Sequence, residues 1–522
     1  MRSYQSHLKT TINLDQKNID RKPILRSSAI FPVFLSKETN VNIYFLSYWL
    51  LKRNIKEVSL LTTIRNQSGS IIYRNLNIID HIKSYKISLK KILKTKNNFF
   101  GSIELEINSI KDLVFPFPAL IINYESKKSS SVVHTCGRIF NDLEDQIKNN
   151  IDIVSEGGFD ILPKKNFSPF FSFVNGQTRI FNQKLKLKIL NFQGETIKKN
   201  IILKKIEPYE TKFIYFLKDK EKNFLREKKG SISINHNFTT FYPRFLAGNI
   251  EKNFSSTQIT HTYYDLKGRK KTSDYWLNKE KKNIFDITIP IPFFYKHNYQ
   301  TELAIYPNFV KTDFDLNVQI VDDLGKLVCD IENVIKIRNT FNKPVYLNIN
   351  DLIKKKISLF KYNRTYYCKF YSATKHKIPS RLKFALNILN NKKNSLPTNI
   401  CFNAIVPDKN FLKKKSAFKW GLLQNKSQSL ISLSNISFMK KGYKEANITL
   451  SFWSNKPNER IDKKITIKDN GNFLYDLSKD KKVKKFLNNE VGWITIKSDN
   501  PFVYGWYFEF MKNGSIGGDH LF

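Results

Sequence analysis

With 522 residues, 41% of them hydrophobic, the chain is long enough to bury roughly three to five separate cores. Its 14% aromatic content, with 42 Phe and 24 Tyr, favours strands over helical bundles, because flat rings pack well on a pleated surface. The net charge of +43 points to a polyanion such as nucleic acid or an anionic membrane surface; it is mostly lysine spread end to end beside abundant Asn and Ile, a coding bias, so nucleic acid is discounted as a partner.

Residues 1–28 carry no apolar periodicity and read as a flexible N-terminal arm, without the apolar run of a signal peptide. The first unit, 29–142, opens with apolar segments at Ile30 to Leu35 and Tyr44 to Trp49. Alternation over Val58 to Ile64, turn residues Arg65 to Gly69 and the return at Ile71 to Tyr73 then make a hairpin. Next comes a Tyr-containing strand, Tyr85 to Leu89, then a basic piece from Lys90 to Phe100, then a strand opening on glycine, Gly101 to Ile107. A linker over 143–166 includes Leu143, Ile147 and Ile151 at helical spacing, the pattern of a short helix.

The second unit, 167–266, replays this order. Pro208 to Ile214 takes the place of the Tyr strand, Lys218 to Lys229 that of the basic piece, and Gly230 to Ile234 that of the glycine-led strand. After a linker at 267–287 the third unit, 288–412, has the same succession, except that Tyr366 to Tyr371 replaces the glycine-led strand. The fourth, 413–522, ends the series with Phe473 to Leu477, Lys479 to Asn489 and Gly492 to Ile496. Four copies of one order predict an all-β protein of tandem immunoglobulin-like antiparallel β-sandwich units, each with a short helix in a sheet-crossing connection.

Candidate site residues gather where units end. His134 and His261 stand at matching ends of the first two units, each followed by Thr, and the chain closes on Asp519-His520. Imidazole and carboxylate suit divalent ions, so His134, His261, Asp265, Asp519 and His520 form a candidate metal set, although no two of the histidines have the close spacing of a metal motif. Arg138 and Tyr264 beside them, with Trp506 in the Gly505 to Phe510 segment, are candidate ligand-binding groups, although the alternation of that segment fits better a final strand with half its rings buried. Cys136 shares a strand face with His134, which sketches a nucleophile and base but lacks an orienting acid; no catalytic residue is assigned. Glu104 and Glu106 read as an exposed sheet face, and Glu156-Gly157-Gly158 as a turn. Four scattered cysteines fit reduced thiols in the cytoplasm, and no segment is apolar for long enough to cross a bilayer.

These features predict a non-enzymatic binding or scaffold protein with a protein or carbohydrate partner and no cofactor. The alternatives are a metal-assisted hydrolase or lyase using the His-based ends of the first two units, and an electrostatic binder of nucleic acid or anionic polysaccharide.

Overall fold

Period-2 alternation becomes antiparallel sheet throughout. The computed structural model describes residues 23–140 except 96, residues 154–266, and residues 275–522 without 278–283, 287, 295–298, 308–312, 339–342, 361–363, 374–376, 380–381, 391–395, 404–414 and 437–444. The chain divides into two compact units, 1–268 and 269–522.

In the first unit, β1 (Arg26–Leu35), β2 (Thr39–Leu46), β3 (Val58–Asn66), β4 (Ile71–Ile79), β5 (Ser84–Ser88), β6 (Phe99–Asn108), β7 (Ile121–Ser126) and β8 (Ser130–Val133) form two four-stranded sheets, ordered β1-β6-β3-β4 and β5-β2-β7-β8. The short β9 (Arg138–Ile139) follows, and the order then repeats through β10 (Val154–Ile161), β11 (Phe167–Val174), β12 (Ile180–Leu190), β13 (Thr196–Ile206), β14 (Thr211–Tyr215), β15 (Gly230–His236), β16 (Phe241–Tyr242), β17 (Leu246–Glu251), β18 (Thr257–His261) and β19 (Tyr263–Leu266). Here the sheets run β13-β12-β15-β10-β19 and β14-β11-β17-β18, while β9 pairs with β16.

The second unit holds two more copies. Its first comprises β20 (Tyr275–Leu277), β21 (Ile284–Asp286), β22 (Ile291–Pro292), β23 (Tyr299–Tyr306), β24 (Phe314–Asp322), β25 (Leu327–Ile337), β26 (Val345–Asn348), β27 (Tyr366–Ala373), β28 (Lys377–Pro379), β29 (Lys383–Asn390) and β30 (Ile400–Asn403). Its second comprises β31 (Ala417–Gln424), β32 (Gln428–Asn435), β33 (Glu445–Trp453), β34 (Arg460–Lys468), β35 (Asn472–Asp476), β36 (Val491–Ser498), β37 (Val503–Phe510) and β38 (Ile516–His520). The sheets β21-β27-β24-β25, β26-β23-β29-β30, β31-β36-β33-β34 and β35-β32-β37-β38 keep the neighbour order of the first unit.

In every copy the basic piece between the fifth and sixth strands contains a short helix: Leu89–Leu93, Asp219–Leu225, Ile349–Ile353 and Lys481–Phe486. Each seats one or two apolar side chains in the core, Leu89, Leu225, Ile349 with Ile353, and Val483, while the lysines of the first, second and fourth stay at least partly in solvent. The glycine that opens the sixth strand has a packing reason. A Cβ on Gly101 would lie 2.0 Å from the Arg65 carbonyl oxygen, one on Gly230 2.6 Å from that of Leu190, and one on Gly492 2.8 Å from that of Trp453. In each case the carbonyl comes from the end of the third strand. Where the third copy has Tyr366 instead, the ring is buried against Phe360, with centroids 4.6 Å apart, and opens no such contact.

Within each unit the two copies share a core. One cluster joins Phe31, Ile43, Ile103 and Tyr124 to Phe170, Leu246, Ile250 and Ile259; another joins Leu303, Ile320 and Phe384 to Leu430, Trp506 and Phe508. At about 1.5–3 kcal/mol for each fully buried large side chain, this shared burial explains why copies associate in pairs. The turn after the third strand repeats the pairing, since Thr211 N donates to Gln67 O at 3.0 Å in one unit and Asn472 N to Asp323 O at 2.9 Å in the other.

Several expectations change. The strand β1 begins at Arg26, inside the expected arm, and residues 1–22 lie outside the described residues. So do the whole of the expected helix at 143–153 and much of 267–287, but Val154–Ile161, placed in a linker, is a buried strand, and β20 and β21 are strands within the other expected linker. Glu156-Gly157-Gly158 is therefore not a turn: it lies in β10, and Gly158, with φ of 87°, sits where the register shifts between Gly157 and Asp160. Glu104 is not exposed either, because Arg65 Nη1 reaches it at 2.8 Å, Arg26 Nη2 at 3.4 Å, and Arg65 lies 4.2 Å over the Tyr209 ring.

Candidate functional site

Edge strands β8 and β18 of the first unit meet through side-chain hydroxyls instead of a backbone ladder. Thr257 N donates to Ser129 Oγ at 2.6 Å, Ile259 N to Ser131 Oγ at 3.0 Å, and Ser131 Oγ to Thr257 O at 3.1 Å. Small hydroxyl side chains permit this approach and satisfy edge groups that would otherwise be buried without partners.

At the end of this seam the rings of His134 and His261 meet edge to face, with centroids 4.8 Å apart at 88°. The two histidines that the sequence paired are thus neighbours. Aromatic rings pack in this way, whereas two imidazoles sharing an ion aim lone pairs at one point. Burial, assisted by the positive Arg244, pushes the His134 imidazole down to about 3. His261 Nδ1 lies 3.2 Å from Thr262 O. A carbonyl can only accept, so Nδ1 carries the proton and Nε2 the lone pair, the form in which imidazole ligates metals.

Beyond the pair lies a buried polar cluster that sequence reasoning missed. Thr262 Oγ1 accepts from Phe245 N at 3.0 Å and donates to Glu156 Oε2, and Glu156 Oε1 lies 3.8 Å from His236 Nε2 with both side chains fully buried. The only sequence signal was an acid followed by two glycines in β10, which resembles a turn. Cys136 belongs to the same region, donating Sγ–H to Arg244 O at 3.3 Å. Burial pushes its thiol up to about 12, so it holds its proton far more tightly than His134 could accept it, and the nucleophile and base sketch fails on acidity.

The other candidates disperse. Arg138 is buried in β9, its guanidinium 5.7 Å over Phe117 and 5.6 Å over Phe140, an aromatic seat that holds the cation inside the protein. Tyr264 and Asp265 lie on β19, opposite Glu156 and Ser155; their side chains lie outside the description. In the second unit, Trp506 is fully buried, donates Nε1–H to Pro290 O at 2.9 Å and packs on Phe402, so it is a core anchor and not a stacking platform.

His520 occupies in β38 the position of His261 in β18. Both face the equivalent residue of the preceding strand, Trp506 and Leu246, and His520 Nδ1 lies 3.3 Å from Leu521 O, repeating the bond at His261. Asp519 beside it is buried, and burial raises its carboxyl to about 7 against the opposing influence of His520.

The acid response of the first unit follows from His134. An unfolded imidazole takes up its proton near pH 6.5, the folded one only near 3, so the stabilisation is complete above about 6.5 and is lost as pH falls toward 3. Because part of the ring reaches solvent, about 2 kcal/mol is expected between pH 7 and 4. Urea unfolding at the two pH values, for the parent and for His134→Gln, checks this; an equal pH slope in both proteins refutes it.

No protein-family model matches the chain, and a search of curated proteins finds no relative of it. No helix among the described residues is long and apolar enough to cross a membrane.

Proposed function

We propose that the chain is a non-enzymatic binding protein whose four antiparallel β-sandwich units, immunoglobulin-like in having two sheets and a crossing connection, present sheet edges to a protein partner. In this reading the units span 29–142, 167–266, 288–412 and 413–522, with β10 added to the second. One observation carries the reading. The strand β4 is an outer strand of its sheet, and Ile71, Ile72, Leu76 and Ile78 on it are 46–59% exposed. Soluble proteins ordinarily blunt such an edge with charge or proline, and β4 has only Arg74. An extended segment added to β4 would pair its free backbone groups and cover these side chains.

A photo-crosslinker at position 76 is expected to capture one partner, and Leu76→Lys with Ile78→Lys to abolish the capture, while a crosslinker at the 97% exposed Ile110 captures nothing. Capture that survives the lysine substitutions counts against the reading. A metal-assisted hydrolase using the His-based ends of the first two sandwich units is the second reading, favoured by the contact of His261 Nδ1 with the Thr262 carbonyl, which leaves Nε2 as the nitrogen that would ligate. It requires zinc to raise the melting temperature and His261→Ala to cancel that gain.

A further inference from the structure

We infer that the outer face of the β12–β13 hairpin is a docking surface for an anionic lipid bilayer. In β12 the side chains of Leu185, Leu187 and Ile189 are buried in the core, so the alternate residues Lys184, Lys186 and Lys188 share the opposite face. On β13 that face carries Lys198, Asn200, Ile202 and Lys204, because Lys184 stands opposite Ile202, Lys186 opposite Asn200 and Lys188 opposite Lys198. Five lysines thus share one flat grid, spaced about 6.7 Å along a strand and about 4.8 Å between strands.

Ordinary surface solvation does not account for this grid. Like charges directly opposite one another, as at Lys188 and Lys198, weaken a sheet. Neither strand contains an acidic residue. The corresponding hairpins of the second unit mix signs, with Asp315, Asp322, Asp330 and Glu332 in one and Glu445 and Asp462 in the other. A compositional excess of lysine would not concentrate in this manner. On β13 itself the lysines that point away from the grid are paired, Lys199 with Glu221 at 3.0 Å and Lys205 with Glu207 at 2.5 Å. Among the described residues Lys184, Lys186, Lys198 and Lys204 have no such pair.

The chemistry of the face selects among polyanions. It has no arginine to fork onto a phosphate and no ring to stack a base, as nucleic acid would favour. Lysine ammonium groups attract a charged plane without a fixed geometry. In their midst Ile202 projects 62% exposed, an apolar body placed to enter the headgroup boundary.

The test is co-sedimentation of the full chain with vesicles of phosphatidylcholine containing phosphatidylglycerol, against pure phosphatidylcholine. The protein is expected to bind only the anionic vesicles, less tightly as salt rises. Replacing Lys184, Lys186, Lys198 and Lys204 by Gln is expected to weaken binding about 5-fold per lysine, roughly several hundred-fold together. The matched variant with Lys90, Lys91, Lys94 and Lys111 changed to Gln keeps the same net charge loss on another surface and is expected to bind nearly as the parent does. Ile202→Ser is expected to weaken vesicle binding and leave duplex DNA binding unchanged. Equal losses in the two lysine variants, no binding to anionic vesicles, or tighter binding of duplex DNA through the same four lysines would each overturn the inference. None of these outcomes affects crosslinking at Leu76, so the two readings stand or fall separately.

Discussion

Gly101→Ala is expected to destabilise the first unit by about 3 kcal/mol or more, the cost of forcing a methyl group against an immobile backbone. The obstacle is the Arg65 carbonyl oxygen, 2.0 Å from the new Cβ, and a ladder carbonyl cannot swing aside without breaking its own bond. Gly230→Ala meets the Leu190 carbonyl at 2.6 Å and ranks next. At Gly492 the Trp453 carbonyl stands further off, at 2.8 Å, and the nearer Leu487 side-chain tip at 2.4 Å can turn, so the loss is expected to be smaller, about 1–2 kcal/mol. Tyr366→Gly, the reverse change in the third copy, removes a buried ring and is expected to cost about 3–5 kcal/mol. Denaturant unfolding of the four variants checks both directions. Indifference of Gly101 to alanine would refute the packing account of the repeat.

The second unit is expected to lose stability as pH rises through neutrality, opposite in sign to the acid sensitivity at His134. The Asp519 carboxyl titrates near 7 when folded and near 3.8 otherwise, so between those values the native state alone holds the proton. Its stabilisation is complete below about pH 4 and is lost as pH rises to 7, amounting to about 4 kcal/mol at most. Asp519→Asn keeps the shape without the charge and should flatten this slope, making the variant the more stable protein at pH 8. Of the six tryptophans only Trp49 lies in the first unit, so fluorescence follows the second. A parent protein whose fluorescence midpoint is level from pH 4 to 8 would refute the prediction.

The fold was legible where local chemistry repeats. Asn66, Asn191 and Asp322 each use a side-chain oxygen to hold the turn after a third strand, accepting from Ser70 N, Gln193 N and Leu324 N, and turn residues of this kind are visible in any sequence. The glycine and helix signals were equally local. The strand β10 was missed because Val154-Ser155-Glu156-Gly157-Gly158 carries an acid and two glycines, residues that strands avoid, and only its pairing with β15 and β19 makes them acceptable. For the same reason Glu156 and His236 were invisible as a buried pair: they are 80 residues apart, and nothing in either neighbourhood marks the other. The meeting of His134 and His261 was foreshadowed by matching strand ends. The burial of Trp506 agrees with the alternation of Gly505 to Phe510, whereas that of Arg138 was not foreshadowed, since a cation looks alike at a binding surface and in a core.

The seam of hydroxyls between β8 and β18 sets the smallest piece of the first unit that can be cut out whole. A fragment ending near residue 140 would bare Ser129 and Ser131 with their partners gone and strip the core of Phe170, Leu246, Ile250 and Ile259. A single copy is therefore not a transplantable module. For truncation, domain grafting or recombinant expression the indivisible part is the pair, with its boundary beyond β19 and never between β9 and β10.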